Sequence, residues 1–193
     1  MLNSSKTTQF FQRIDQAEFN LCRKANQIGR LPAVHRFFSI VSRLGDGVFW
    51  YCFILALPAL FGIVGMTVSL LMIITGITCT IVYKSLKAVL VRERPYISHP
   101  DILAGTPPLD RYSFPSGHTL HAVCFAIILV YHFPWLGLIV LPFTILVMLS
   151  RVLLGLHYPT DVSAGALIGA LISYLAIQTS GADTFQALLN QVL

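Results

Sequence analysis

The spacing of charged positions divides this chain before any motif is considered. No Asp, Glu, Lys or Arg occurs from Gly47 to Tyr83. One membrane-crossing helix needs about 20 apolar residues, so this run is too long for a single span. Pro58, Gly62 and Gly65 interrupt it, which predicts two spans, near 48–64 and 66–86. A second uncharged run extends from Ser113 to Ser150. His132-Phe133-Pro134-Trp135 breaks it, predicting spans near 117–132 and 135–154. A last run, Val162 to Ala182, predicts one more.

The pattern ahead of Gly47 is different. Phe10, Ile14, Ala17, Leu21, Ala25 and Ile28 recur every three or four residues, with Arg13, Arg23, Lys24 and Arg30 between them. That periodicity predicts an amphipathic helix lying in the membrane interface. A second short helix is expected from Ala33 to Leu44, too short and too charged to span. Packing of this segment on a partner subunit is the alternative. Residues 96–114, with Pro100, Gly105, Pro107 and Pro108, read as a loop joining two motif-bearing ends. The expected fold is therefore all-α: a polytopic membrane bundle of about five transmembrane helices behind an N-terminal amphipathic interfacial helix. Its units are an interfacial segment at 1–46, a transmembrane core at 47–182 and a tail at 183–193.

Composition strengthens the membrane assignment. The 193 residues are 55% hydrophobic and 11% charged, against about 25% charged in an average soluble domain. The net charge of +5 borders apolar spans rather than a soluble face. It argues against a nucleic-acid partner and for anionic lipid headgroups. Cys22, Cys52, Cys79 and Cys124 form no C-x-x-C pair and read as small apolar fillers. Met1 to Gln9 lacks a basic-then-apolar leader pattern, so no cleaved signal is expected.

Ionisable groups at membrane depth are costly and mark function by default. Lys84, Lys87, Arg92, Glu93 and Arg94 close the second span, and His118 opens the third. Arg151 lies near the end of the fourth; His157 and Asp161 precede the fifth. Tight turns near 62–66 and 132–136 put all of these on one membrane face. Lys87, Arg94 and Arg151 then suit a dianionic phosphate. Snorkelling of basic residues at helix ends accounts for Lys84 and Arg92, but not for two histidines with an acid at i+4. Lys87 and Arg94, seven apart, share a helix face if both are helical, and so do His157 and Asp161, four apart. Asp161 can accept from one imidazole nitrogen and leave the other nucleophilic. Pro115-Ser116-Gly117-His118 opens a helix whose N-terminal N–H groups attract anions. There Gly117 permits close backbone approach, Ser116 can donate its hydroxyl, and His118 is placed to protonate a leaving oxygen.

Three segments together, Lys87-Ala-Val-Leu-Val-Arg-Glu-Arg94-Pro95, Pro115-Ser-Gly-His118 and Ser150-Arg151-Val-Leu-Leu-Gly-Leu-His157-Tyr-Pro-Thr-Asp161, resemble the three signature motifs of the type 2 phosphatidic acid phosphatase superfamily. They occur in the family's order, and the resemblance covers roughly residues 34–178. It implies that Lys87, Arg94, Arg151, Ser116 and Gly117 hold the phosphate. His157 would form a phosphohistidine, Asp161 would orient it, and His118 would be the general acid. No metal or other cofactor is implied, because Asp161, the one carboxylate in the set, is assigned to His157. His121 reads as a packed helix residue. Asp110, Arg111 and Tyr112 stand at the expected mouth without an assigned role.

The expected substrate is a lipid phosphate. Phosphatidylglycerophosphate and phosphatidic acid lead, with polyprenyl (undecaprenyl) diphosphate as the alternative. A vanadate haloperoxidase is disfavoured because those relatives are soluble, and a non-enzymatic lipid-binding or transport protein is the remaining class. Many bacterial members resemble this layout with one further span before the amphipathic segment, and they face outward. Here the basic residues gather on the site's side, and the opposite turns carry none. The positive-inside rule then predicts an inner-membrane protein with its site on the cytoplasmic face. Oligomeric state is left open.

Overall fold

The computed structural model describes residues 4–107 and 110–180, with side chains from Ile14 onward. The expected tail at 183–193, the end of the last apolar run and the Phe10 side chain lie outside the described residues. The chain forms α1 (Ser4–Gly29), α2 (Pro32–Arg43), a wide turn (Leu44–Val48) and α3 (Phe49–Leu90). The short α4 (Pro95–Ser98), α5 (Gly117–His132), α6 (Gly137–Leu153) and α7 (Pro159–Thr179) follow. Among the described residues there is no strand.

Helix α3 is two limbs rather than one rod. Gly62 has φ 55° and ψ −131°, a combination that reverses the chain. The limbs then pack side by side, and Ser69 Oγ donates to the Ile54 carbonyl at 2.8 Å. Among the described residues three stretches are long and apolar enough to cross a membrane, with α5 a shorter apolar helix. Because Gly62 divides the first stretch, the described residues form about five apolar segments, as the charge gaps predict. Their outer surface is apolar: Leu55, Leu138 and Leu167 are largely exposed, Leu138 to 85%. In water that belt would be unfavourable; in lipid it is solvated.

Helix α5 occupies the centre, against α3, α6 and α7. Its contact with α7 depends on two glycines one helical turn apart. A Cβ at Gly165 would stand 2.6 Å from the Ser116 carbonyl oxygen, and one at Gly169 would stand 2.4 Å from that of Leu120. Without side chains there, the two backbones meet directly. This contact holds the start of α7 against the start of α5, and the Ser116 amide donates to the Asp161 carbonyl at 3.1 Å.

Helix α1 is amphipathic in an unusual sense. Its apolar Leu21 and Ile28 are exposed, while Asp15, Cys22 and Asn26 are buried. Leu21 and Ile28 turn outward, as an interfacial helix requires, while Asp15 and Asn26 turn onto the bundle and Arg23 and Lys24 stay exposed. Asn26 clasps the loop by donating to the Leu103 carbonyl and accepting its amide, at 2.9 and 3.0 Å. His35 on α2 meets the Gly105 carbonyl at 2.9 Å. These bonds seat the loop after α4 over the same end of the bundle as the charged residues.

Candidate active site

A cavity of about 810 Å³ opens at that end. Lys87, Arg94, Gly117, His118, Arg151 and His157 line its polar floor. From there it extends between the two limbs of α3 and α5, past Trp50, Ile54, Met72, Ile77 and Phe125. One wall is cationic and the other is apolar, within a single volume.

His157 follows α6 and precedes α7, so it is on a connection and not on a helix. The expected helical i, i+4 relation to Asp161 is therefore replaced by another one. Asp161 sits in the first turn of α7 and accepts the Tyr158 amide at 2.8 Å. His157 Nδ1 lies 3.5 Å from Asp161 Oδ2. The Ser113 hydroxyl stands beside both, donating to Asp161 Oδ2 and lying 3.4 Å from His157 Nδ1. On the other side Arg94 Nη1 is 3.2 Å from His157 Nε2 and also donates to the Leu156 carbonyl at 2.8 Å. An arginine can only donate, so Nε2 is the accepting nitrogen and Nδ1 carries the proton. The Nε2 lone pair is thus turned to Arg94, one of the cations of the floor. Burial, followed by the charges of Arg94, Arg151 and Lys87, pushes the His157 pKa well below its ordinary value. The ring is neutral at pH 7, which is the protonation state a nitrogen nucleophile needs.

Lys87 and Arg94 do meet, but not on a helix face. Helix α3 ends at Leu90, and Val91 takes a left-handed conformation at φ 36°. The chain turns there, and the two cations converge on Asp110 instead. Lys87 Nζ and Arg94 Nη2 donate to Asp110 Oδ1 at 2.7 and 2.9 Å. Burial alone would raise this carboxyl, but hydrogen bonds and charge from Lys87 and Arg94 hold it below the usual carboxylate range. Arg151 is buried and donates to Ser42 Oγ at 2.5 Å. Its Nε is buried with no hydrogen-bond partner among the described residues. That orphan donor is costly unless a ligand oxygen reaches it.

Three further sequence expectations change. Ser116 does not line the cavity: its hydroxyl caps α5, accepting from the Thr119 amide at 3.5 Å and pairing with Thr119 Oγ1 at 3.0 Å. Gly117, in contrast, lines the cavity. Arg92 does not snorkel. It is 2% exposed and lies beneath the site, 4.0 Å from the Tyr158 ring centroid. Its guanidinium donates to Asp161 Oδ1 at 2.5 Å, Thr160 Oγ1 at 2.7 Å, Asp15 Oδ1 at 2.6 Å and Glu18 Oε2 at 3.0 Å. Nor is Asp161 the one carboxylate nearby. Asp110 and Asp46 both line the cavity, and Asp46 is hydrogen-bonded to His118 Nε2. Spacing marks none of Ser113, Asp46, Asp15 and Glu18, because Ser113 stands beside the Pro115 motif without belonging to it and the three acids come from distant segments. Asp46, flanked by Gly45 and Gly47, is the last charge before the first apolar run, a weak hint at most.

A helical membrane bundle here gathers a neutral histidine, three cations and an apolar wall around one cavity. Residues 47–185 match the PAP2 superfamily, and the chain belongs to that family. It is 34% identical over 113 residues to an undecaprenyl-diphosphatase from Sulfolobus acidocaldarius, covering 58% of this chain and 54% of that one. It is 35% identical over 121 residues to phosphatidylglycerophosphatase B of Bacillus subtilis, covering 55% of each. The chain thus spans about half the length of the curated relatives it matches. Among solved structures it resembles a transmembrane PAP2-type phosphatidylglycerolphosphate phosphatase from Bacillus subtilis. The TM-score is 0.72 at 28% identity, with 93% of this chain and 96% of that chain covered. It also resembles LpxE of Aquifex aeolicus, with TM-score 0.73, 27% identity and coverage of 84% and 95%.

Proposed function

We propose that this protein is a metal-independent membrane phosphatase that hydrolyses a lipid phosphate through a phosphohistidine on His157. The observation that carries this reading is the cavity itself. The His157 Nε2 lone pair faces the cationic floor, and the same volume continues along an apolar wall that fits a lipid tail. In the first step Nε2 attacks phosphorus, and the bond from phosphorus to the lipid oxygen breaks. His118 supplies the proton to the departing alcohol. Water then attacks the phosphohistidine, His118 takes its proton, the P–N bond breaks and orthophosphate leaves. Lys87, Arg94, Arg151 and the Gly117 backbone would hold the phosphate oxygens. Ser116 would contribute through the helix start it caps. Asp161 would fix the His157 tautomer, with Ser113 and Arg92 holding Asp161.

Both a phosphomonoester and a diphosphate fit this chemistry, and relatives carrying each activity support them. The test is orthophosphate release from a panel containing phosphatidic acid, phosphatidylglycerophosphate and undecaprenyl diphosphate. Wild type should turn over at least one, and His157→Ala should lose at least about 1,000-fold in kcat. A His157→Ala protein working at the wild-type rate would remove the nucleophile assignment.

The site belongs on the cytoplasmic face of the inner membrane under this proposal. The basic residues of α1, α2 and the α3 end cluster there, and the turns at Gly62 and Pro134–Leu136 have none. Alkaline phosphatase fused to the C-terminus should then be active. An inactive fusion alongside a fluorescent cytoplasmic-reporter fusion would invert the orientation.

A further inference from the structure

We infer that Asp46 is a positioning residue for His118, holding that imidazole as the proton donor to the lipid leaving group. The inference rests on the phosphatase reading above. The sequence gives His118 no acidic companion, since its neighbours along α5 are apolar, hydroxyl or histidine side chains. The partner comes instead from the turn between α2 and α3, 72 positions earlier, where the Asp46 carboxylate bonds His118 Nε2.

That turn is built to present one side chain. It is a widened helical turn in which the Phe49 amide reaches back to the Leu44 carbonyl. On one side of Asp46, Gly47 has φ 144°, and a Cβ there would lie 2.7 Å from the Tyr51 ring. On the other side, a Cβ on Gly45 would lie 3.0 Å from Val147 on α6. Asp46 thus stands between two glycines, one at a φ that side-chain-bearing residues rarely adopt and one packed closely against α6. Asp46 stands at the boundary of two spaces. It lines the main cavity and also a polar side chamber of about 220 Å³ formed with Ser42, Arg43, Thr106, His118 and Arg151. The Asp46 side chain keeps 37% of its exposure and His118 only 10%. A partly exposed carboxylate thus holds a covered imidazole.

The chemistry needs such a partner. A lipid alcohol is a poor leaving group, so breaking its bond to phosphorus requires a proton on the bridging oxygen. His118 shares the cavity with Lys87, Arg94 and Arg151. A carboxylate on one ring nitrogen favours the imidazolium and fixes the ring plane. After the proton leaves, the same contact holds the ring in place to accept a proton from water. The two histidines would then each have an acid, Asp161 for His157 and Asp46 for His118. The rival account is that Asp46 simply occupies the place of a substrate oxygen in the unliganded site.

The experiment is a double-mutant cycle on the full chain in detergent, with an alkyl lipid monophosphate that wild type hydrolyses. Asp46→Asn should lower kcat by about 10- to 100-fold with a smaller change in KM, a fraction of the whole general-acid contribution. In a His118→Gln background the same substitution should change kcat by less than about twofold, because coupled residues are not additive. With a nitrophenyl leaving group in place of the alkyl alcohol, the Asp46→Asn loss should shrink to within about threefold. Asp46→Glu should recover part of the alkyl rate. Losses that multiply in the double mutant, or that are equal for both leaving groups, would show a merely structural role and overturn the inference. A lower KM with kcat unchanged or raised would overturn it in favour of a displaced occupant. If wild type releases no phosphate from any lipid, the phosphatase reading itself falls; with an active wild type, only the role of Asp46 is at stake.

Discussion

Arg92 and the Lys87–Arg94 pair come from one short segment and are all buried, yet they have opposite surroundings. Arg92 is enclosed by Asp15 and Glu18 from α1 and by Thr160 and Asp161 from α7. Its partners outnumber its charge, and it lies below the cavity. Lys87 and Arg94 share one carboxylate, Asp110, whose side chain is 35% exposed and comes from a loop. Their charge exceeds that of their partner, and both line the cavity. A buried cation with a complete partner set is scaffold. A buried cation pair held by one partly exposed carboxylate is a candidate binding site for another anion. Position along the chain does not separate the two; the partners do.

The strongest way to break this contrast is Arg92→Met. It would strand Asp161 in the bundle and leave Asp15 and Glu18 without their cation. The expected cost is about 3–5 kcal/mol, typical of breaking a buried ion pair. It should appear as a large fall in thermal stability in detergent, with loss of phosphate release as Asp161 shifts. A variant with wild-type melting would return Arg92 to the class of helix-end lysines and arginines.

Asp110→Asn should do the reverse. Removing the competing carboxylate frees two cations for the ligand. KM for a lipid phosphate and the inhibition constant for orthophosphate should each fall by about two- to fivefold, the scale of a partly exposed ion pair. Folding should be little changed. Weaker phosphate binding in this variant would mean that Asp110 positions the cations rather than competing for them.

The smallest effect belongs to Lys84→Ala. Lys84 is exposed on the same helix as Lys87, three residues away. Stability should stay within about 0.5 kcal/mol and turnover should be unchanged. A clear loss of phosphate release would extend the cationic site beyond the cavity floor.

Much of this contrast was out of reach of the chain read as a string. Lys84 fits the snorkelling account, but Arg92, with the same local signature, does not. Ser113 precedes a recognisable motif without belonging to it, and Asp46 sits in a turn with no chemistry of its own. Spacing also misled where it assumed helices. Lys87 and Arg94 are two turns apart only if the helix continues, and it ends at Leu90. His157 and Asp161 are one turn apart only if both are helical, and α7 begins at Pro159.

What the sequence determined by itself was the solvent and the topology. Uninterrupted apolar runs dictate membrane spans, and the breaks at Gly62 and Phe133-Pro134 dictate where the chain turns back. Together they bring every motif to one end of the bundle, because a helix crossing a bilayer has only two ends. What only the tertiary structure decided was which charges answer one another. Ion pairing depends on distances of a few ångströms between segments that are distant in sequence. Such distances are set by backbone contacts like the one Gly165 and Gly169 permit, and by the seating of α1 and the loop over the site. Thus Asp161 is shared with Arg92, Asp110 bridges Lys87 and Arg94, and Asp46 reaches His118 only after the bundle has closed.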